Sequence, residues 1–311
     1  MRQPELFPIN TAKPIMKWAG GKTQLLTQID SHLPKDIHGG EIKRYIEPFI
    51  GGGALFFFIA KKFRNIEEFI LADANRELML LYRVVKRDVE HLIEHLKKIS
   101  NDYLNLPEEG RKEYYYRIRT AFNEAIPTID YNHHDKRWIP RAAQIVFLNR
   151  TCFNGLFRVN SKGEFNVPFG RYKNPKILDE ENLRAVSHTF KSAKLILGDF
   201  SVVEPFVDEN TFVYFDPPYR PISTTSSFTS YSKSDFNDEE QLRLANLYQT
   251  LDKKDAKLML SNSDPKNTDP DDEFFDKAFA DFNIIRVEAS RMINSKASKR
   301  GPINEILVIN Y

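Results

Sequence analysis

The feature that most limits what this chain can fold into is a series of short apolar runs, most of which stop at one of a few polar residue types. The run at 45–46 leads into Glu47 and a glycine cluster, 69–72 stops at Asp73, and 195–197 stops at Gly198 and Asp199. Further on, 212–215 stops at Asp216, 257–260 stops at Ser261, and two more runs lie at 284–288 and 305–311. Helical patterns separate several of them, which is the alternation of an α/β sheet protein. In open α/β sheets ligands collect at the carboxyl ends of strands. Most of those ends here carry Glu, Asp, Ser or Asn, so the sequence predicts a polar site along one edge of the sheet.

The stretch 80–188 reads differently. It has helical spacing in VVKRDVEHLIEHLKKI and again in KEYYYRIRTAFNEAI, and no strong strand alternation until near Val159. We read it as a helical lobe inserted in the sheet domain, with 1–80 and 189–311 forming the core domain and 81–188 the insertion. A chain of 311 residues accommodates one core and one such lobe. A hydrophobic fraction of 41% with 28% charged residues places it among globular proteins rather than disordered or collagen-like ones. The net charge of +2 says nothing about a polyanionic partner, so local charge has to decide. Cys152 is the sole cysteine, which excludes an internal disulfide framework and a multi-cysteine zinc site. It reads as a buried filler in a protein of a reducing compartment. The histidines lack HExxH spacing and His133-His134 fall in a polar loop, so no metal is expected. No stretch approaches the roughly 18 apolar residues of a membrane span, and MRQPELFPIN has no apolar signal core, which predicts a cytoplasmic protein.

Four motifs carry chemistry. In YIEPFIGGGALFFFIA a glycine cluster sits between a strand and an apolar helix, where backbone can approach a ligand and helix N–H groups can face it. A purely structural glycine turn reads the same way. The dinucleotide fingerprint needs glycine where Phe56 stands, which demotes a nicotinamide site. Asp73 follows the glycines by about twenty residues, the spacing of an acid that accepts from ribose hydroxyls; AspAlaAsnArgGlu is equally a helix start that Asp73 could cap. MKWAGGKTQLL resembles half a phosphate-binding loop, but Met16 occupies the position of its first glycine, so an NTPase fits poorly.

The most specific motif is DPPY at Asp216, Pro217, Pro218 and Tyr219. Its residue types suit an amino group conjugated to an aromatic base, whose nitrogen lone pair is delocalised and weakly nucleophilic. A carboxylate and a backbone carbonyl accepting both N–H hydrogens would draw that lone pair out of conjugation and aim it at an electrophilic methyl. Asp216 and the Pro217 carbonyl supply the acceptors, two prolines fix the backbone, and Tyr219 offers a face on which an extruded base can stack. The polar segment PISTTSSFTSYSKSDF that follows reads as a loop beside the site rather than a linker. A basic stretch contains nine Lys or Arg residues between 136 and 176 with only Glu164 acidic, interleaved with Phe153, Asn154, Phe157 and Tyr172. That pattern suits phosphate contacts combined with base readout. Within it, 158–168 alternates around a Ser-Lys-Gly turn, which predicts a β-hairpin able to enter the major groove.

MKWAGGK, EPFIGGGALFF, LADAN, LGDF and DPPYRP occur in that order, and together they resemble the Dam-type DNA adenine methyltransferases, including the Dpn-type enzymes. The resemblance runs from 15 to 311. It implies a Rossmann-like S-adenosylmethionine-dependent sheet whose last strand is antiparallel, with 81–188 as the target-recognition domain carrying the hairpin. It implies S-adenosylmethionine as cofactor, S-adenosylhomocysteine as product and no metal. The implied cofactor residues are Trp18, Lys22, Glu47, Gly51, Gly53, Asp73, Asp199, Phe200 and Asp216. For double-stranded DNA containing GATC it implies that Phe153 wedges into the base stack, where this family often has Tyr. Asn154, Leu156, Arg158 and Pro168 would touch bases, Arg171 would hold backbone and Lys17 would reach the outer guanine. Residues 220–236 would close over the flipped base, and Lys296, Lys299 and Arg300 would hold phosphates. The implied setting is a bacterial or phage-encoded monomer acting on the nucleoid, with a cognate restriction endonuclease as a companion that needs no direct contact. Two rivals stand beside this reading. One is a DNA-binding protein that keeps the fold without chemistry, against which the intact DPPY and glycine loop argue. The other is an RNA or glutamine-amide methyltransferase, against which the basic hairpin lobe argues.

Overall fold

A computed structural model of the chain describes residues 12–18, Gly20, Lys22, 25–220, 236–290 and 302–311. The segment between Arg220 and Phe236, together with Lys296, Lys299 and Arg300, lies outside the described residues. All seven runs form strands: β1 (Arg44–Glu47), β2 (Glu68–Asp73), β3 (Ala193–Leu197), β4 (Thr211–Phe215), β5 (Lys257–Ser263), β6 (Asn283–Ser290) and β7 (Pro302–Ile309). They make one mixed sheet in the order β3-β2-β1-β4-β5-β7-β6. Every residue of β4 is buried, as expected for a strand covered on both faces, which is why it reads as an unbroken apolar run. β1 pairs in parallel with β2 on one side and β4 on the other, and β4 pairs in parallel with β5. β7 is antiparallel to both β5 and β6, as the resemblance implied for the last strand. The strand order therefore reverses between β1 and β4, and such a reversal opens a crevice at the carboxyl ends of the two strands. Glu47 ends the first and Asp216 follows the second.

The chain divides into two compact units: Met1–Gly21, Gly51–Lys61 and Asn75–Leu197 in one, and Lys22–Ile50, Lys62–Ala74 and Gly198–Tyr311 in the other. These differ from the expected 1–80 with 189–311 and 81–188. Trp18 packs on the glycine cluster and Asn149 binds the Lys17 backbone, so the N-terminal segment and residues 51–61 group with the helices. The unit holding most of the sheet also contains α1 (Leu26–Ser31), α2 (Lys35–Gly39), α9 (Asp238–Asp252) and α10 (Phe274–Ala278). The other contains α3 (Ala54–Lys62) up to Lys61, α4 (Arg76–Arg87), α5 (Val89–Leu104), α6 (Glu108–Glu124), α7 (Trp138–Thr151) and α8 (Glu180–Thr189).

In that helical unit α7 is apolar nearly all round, the pattern of a helix surrounded by others, and it packs against α4, α5 and α6. Its one buried guanidinium, Arg141 at 2% exposure, forks onto Glu77 of α4, donates to the Phe122 carbonyl and lies 3.6 Å from the centre of the Phe122 ring. Tyr131 donates to the same carboxylate at 2.5 Å. A buried ion pair stabilises only while both members are present, because an unpartnered buried charge keeps its full desolvation penalty. Glu77→Leu alone should therefore destabilise by roughly 3–5 kcal/mol, and adding Arg141→Met should recover most of the loss. Equal losses for the single and double variants in urea denaturation would show that the pair does not tie α4 to α7.

Candidate functional site

Within the sheet unit, DPPY begins where β4 runs out of ladder partners. Asp216 Oδ1 meets Lys22 Nζ at 2.8 Å and accepts from Ser261 Oγ at 3.1 Å. The Ser261 hydroxyl also lies 2.8 Å from the Tyr214 hydroxyl. A carboxylate only accepts, so the single serine hydrogen goes to Asp216 and Tyr214 donates to Ser261. Burial pushes the Asp216 carboxyl above its usual range, while Lys22 and Ser261 pull it back. The Tyr214 phenol is pushed well up by burial and by the carboxylates of Asp216, Glu47 and Glu305, which gathers three acids around one strand end.

Lys22, 6% exposed, has its ammonium 4.2 Å from the centre of the Tyr219 ring, so it touches the first and last residues of DPPY. The Tyr219 hydroxyl donates to Glu305 Oε2 at 2.5 Å. Pro217 is buried and Pro218 is exposed with its carbonyl accepting from Gln241 Nε2 at 3.0 Å. Lys22, Asp216 and Tyr219 thus come together. Ser261, Gln241 and Glu305 join them without having been singled out as site residues; the polar ending of β5 at Ser261 was the available signal.

The other expected cofactor residues of this unit hold separate positions. Glu47, 3% exposed, accepts from Tyr45 at 2.5 Å, a partner two residues back on the same strand face. Asp73 ends β2, and its carbonyl accepts from Gly198 N–H at 3.1 Å. The N-cap of α4 is Asn75, which accepts from the Glu77 and Leu78 N–H groups at 3.1 Å. Asp199 accepts from both the N–H and the hydroxyl of Ser201 and forks with Arg243 at 2.9 and 2.6 Å, which holds its carboxyl well below the usual range. Phe200, 2% exposed, lies under the Arg243 guanidinium at 4.0 Å and beside Phe49.

In the helical unit, Trp18 stacks on Phe157 with ring centres 5.8 Å apart. Gly51 has φ +46, and a Cβ there would come within 2.9 Å of the Trp18 indole. The glycine is required by the tryptophan as well as by its own backbone angle. Gly53, at φ +72, opens α3 with its carbonyl accepting from Phe57 N–H.

The hairpin forms as a tight antiparallel turn with bridges at Val159↔Phe165 and Cys152↔Phe169. Asn160 accepts from the Lys162 and Glu164 N–H groups, and Gly163 takes φ +77. Pro168 brings no N–H to extend the ladder, yet its carbonyl accepts from Phe153 N–H at 2.8 Å. Phe153 is 52% exposed, an unusual position for a phenylalanine, and Asn154 beside it has φ +59. Leu156 is half-buried, its carbonyl accepting from the Cys152 thiol. Arg158 donates to Asn166 at 2.8 Å, Arg171 is exposed at φ +53, and the Lys17 ammonium lies 5.7 Å from the Tyr172 ring centre. Cys152 is fully buried, as read from the sequence, and burial pushes its thiol up to about 12.

Two sets of side chains unforeseen in the sequence hold this surface. Tyr115, Arg119 and Asn123 recur every four residues along α6, a spacing that places them on one face. Tyr115 and Arg119 donate to the Val167 carbonyl, while Asn123 pairs with both the N–H and the carbonyl of Phe165. Asn149, fully buried, accepts from Lys17 N–H and donates to the Lys17 and Gly155 carbonyls. Asn149→Ala should leave buried backbone groups unpaired, at about 1–3 kcal/mol for each group that finds no water. It should lower the urea midpoint of the full chain and expose the Lys17 amide to hydrogen exchange. An unchanged exchange rate at that amide would remove Asn149 from its supporting role.

Residues 18–293 match the model of the D12 class N6 adenine-specific DNA methyltransferases. The chain is 54% identical over 300 residues to the type II methyltransferase M.MjaIII of Methanocaldococcus jannaschii, covering 96% of this chain and 99% of that protein. It is 41% identical to the type II methyltransferase M1.LlaDCHI of Lactococcus lactis subsp. cremoris, covering 96% and 95%. It is 33% identical to the DNA adenine methylase of Escherichia coli K12, covering 94% of each.

Proposed function

This chain belongs to the D12 class of N6 adenine-specific DNA methyltransferases, and from that premise we propose that it methylates adenine within GATC in duplex DNA after flipping the base out of the helix. The family makes the chain a DNA-modifying enzyme and implies S-adenosylmethionine as its methyl donor. The donor set suits that cofactor: its sulfonium and ammonium are cationic, and Glu47, Asp73 and Asp216 are carboxylates at the carboxyl ends of β1, β2 and β4. Asp199 and Phe200 would meet its nucleoside, and the assignment of Trp18, Gly51 and Gly53 to the cofactor rests on the resemblance. When bound, S-adenosylmethionine supplies an electrophilic methyl carbon.

The protein's own work falls on Asp216. Among the described residues Lys22 and Ser261 both engage Oδ1, which leaves Oδ2 to accept one amino hydrogen while the Pro217 carbonyl accepts the other. Losing density from both N–H bonds localises the nitrogen lone pair for direct attack, and no covalent enzyme intermediate is needed. Asp216, with its proton affinity raised by burial, then takes the proton that N6 sheds. Tyr219 stacks the flipped base. On the DNA side, half-exposed Phe153 supports the wedge, and Arg158 presents the planar fork that matches guanine O6 and N7. The type II designation of the Methanocaldococcus relative admits a restriction nuclease as a companion of this chain.

The observation that carries the reading is the anchored carboxylate, held by Lys22 and Ser261 at the end of β4. Asp216→Ala should abolish transfer with duplex binding largely kept; methylation retained at the wild-type rate would remove Asp216 from catalysis. Only the ionised carboxylate can take the proton that N6 sheds, and burial raises its pKa, so the single-turnover rate should fall on acidification at a pH above that of an ordinary aspartate. A rate flat down to the acid-unfolding limit would contradict this. Mixed-sequence DNA methylated with labelled cofactor should carry N6-methyladenine in GATC, and modified cytosine or scattered adenines would overturn the target. RNA competing on equal terms with duplex DNA would favour an RNA substrate.

A further inference from the structure

We propose that Gln241, Asn262 and Glu305 are positioning residues that fix Tyr219 in advance, so that the flipped base meets a platform already set. This rests on the reading that Tyr219 receives the base. Residues 216–220 have left the β4 ladder, so strand-to-strand backbone pairing no longer fixes their peptide planes. A side-chain relay does so instead. Gln241 of α9 donates Nε2 to the Pro218 carbonyl at 3.0 Å and accepts at Oε1 from Asn262 Nδ2 at 3.2 Å. Asn262 of β5 accepts the Arg220 N–H at 3.2 Å, and neighbouring Ser263 donates to the Arg220 carbonyl at 2.9 Å.

The Pro218 carbonyl and the Arg220 N–H belong to the two peptide groups on either side of the Tyr219 Cα. One amide pair therefore sets the backbone both before and after the ring. The far end of the ring is held separately, by the Glu305 carboxylate on the Tyr219 hydroxyl at 2.5 Å. Gln241 is 2% exposed and Asn262 is fully buried, so water does not compete for these bonds, and each amide spends donor and acceptor on a named partner. The Arg220 side chain strengthens the same anchor, binding Asp238 at 2.8 Å and Asp272 at 2.6 Å while lying 4.4 Å from the Phe274 ring centre. With the main chain held at 218 and 220, the preceding Pro217 carbonyl has little freedom to turn. The relay thus orients the second amino-hydrogen acceptor as well as the stacking face.

The experiment uses the full chain with a GATC duplex and measures the single-turnover methylation rate. Alongside it come S-adenosylhomocysteine affinity, duplex affinity and melting temperature. Gln241→Leu and Glu305→Leu should each slow the chemical step roughly ten- to a hundredfold, with both affinities close to wild type; Glu305→Leu should keep the melting temperature, while Gln241→Leu should lower it because the buried Asn262 amide loses its acceptor. Glu305→Gln keeps an acceptor for the hydroxyl and should restore most of the rate. Tyr219→Phe removes the hydroxyl but keeps the ring; it should match Glu305→Leu, and the double variant should be no slower than either. If a leucine variant fails to fold, Tyr219→Phe and Glu305→Gln read the same contact. A Tyr219→Phe enzyme at the wild-type rate, or additive losses in the double variant, overturns the proposal. Wild-type enzyme that leaves adenine N6 unmodified would instead sink the functional reading beneath it.

Discussion

A carboxylate at the end of a fully buried strand is expensive to hold in place, and Lys22 is what makes it tenable. β4 points Asp216 out of an apolar interior, where burial favours its neutral form. The ammonium at 2.8 Å and the Ser261 hydroxyl favour the ionised form and also fix which oxygen is engaged. Everything else in the sheet unit's site is arranged around that contact. Tyr214 orients the serine from below, Tyr219 lies under the same ammonium, and Glu305 and Gln241 restrain the residues that follow. The sheet order adds the second ingredient, since β1 and β4 flank the reversal and bring Glu47 to the same end of the sheet as Asp216.

The sheet was legible because its central strands β1, β2, β4 and β5 are largely buried and so leave apolar runs. All seven were found, five of them with the polar residue at which they stop, and DPPY was found because its residue types have few other uses together. What the sequence hid were single polar residues inside otherwise ordinary patterns. Gln241 lies in a helix whose periodicity explains it equally well as surface, and Asn149 sits among residues of a buried helix. Neither amide announces a partner until the chain folds, because Pro218 and Asn262 lie more than twenty residues from Gln241 and Lys17 lies 132 residues from Asn149. Asp73 offered two readings, and the structure gives the helix cap to Asn75, two residues on.

The hairpin shows the same division. Its turn was readable from Asn160, the Ser-Lys-Gly sequence and the alternation after it. Its shortness was not, although Pro168 was in plain view. The bridge at Val159↔Phe165 stays isolated, and the segment is held instead by side chains of α6 standing in for a neighbouring strand. A local pattern specified the turn, and a helix more than forty residues upstream specifies where it sits.

The basic stretch at 136–176 carries a further consequence. Arg141 and Arg150 are spent inside the helical unit, on Glu77 and on the Ile15 carbonyl, while Arg137 and Lys176 are matched by Asp135 and Asp179. That leaves Lys136, Arg158, Lys162, Arg171 and Lys173 to displace condensed cations from a polyanion. Association through this segment would then weaken with added salt along a logarithmic slope near −4 to −5, roughly half of what nine free cations would give. In the DNA-binding role proposed for it, such a surface would grip nucleic acid loosely by charge alone and leave more of the discrimination to shape and to the bases themselves.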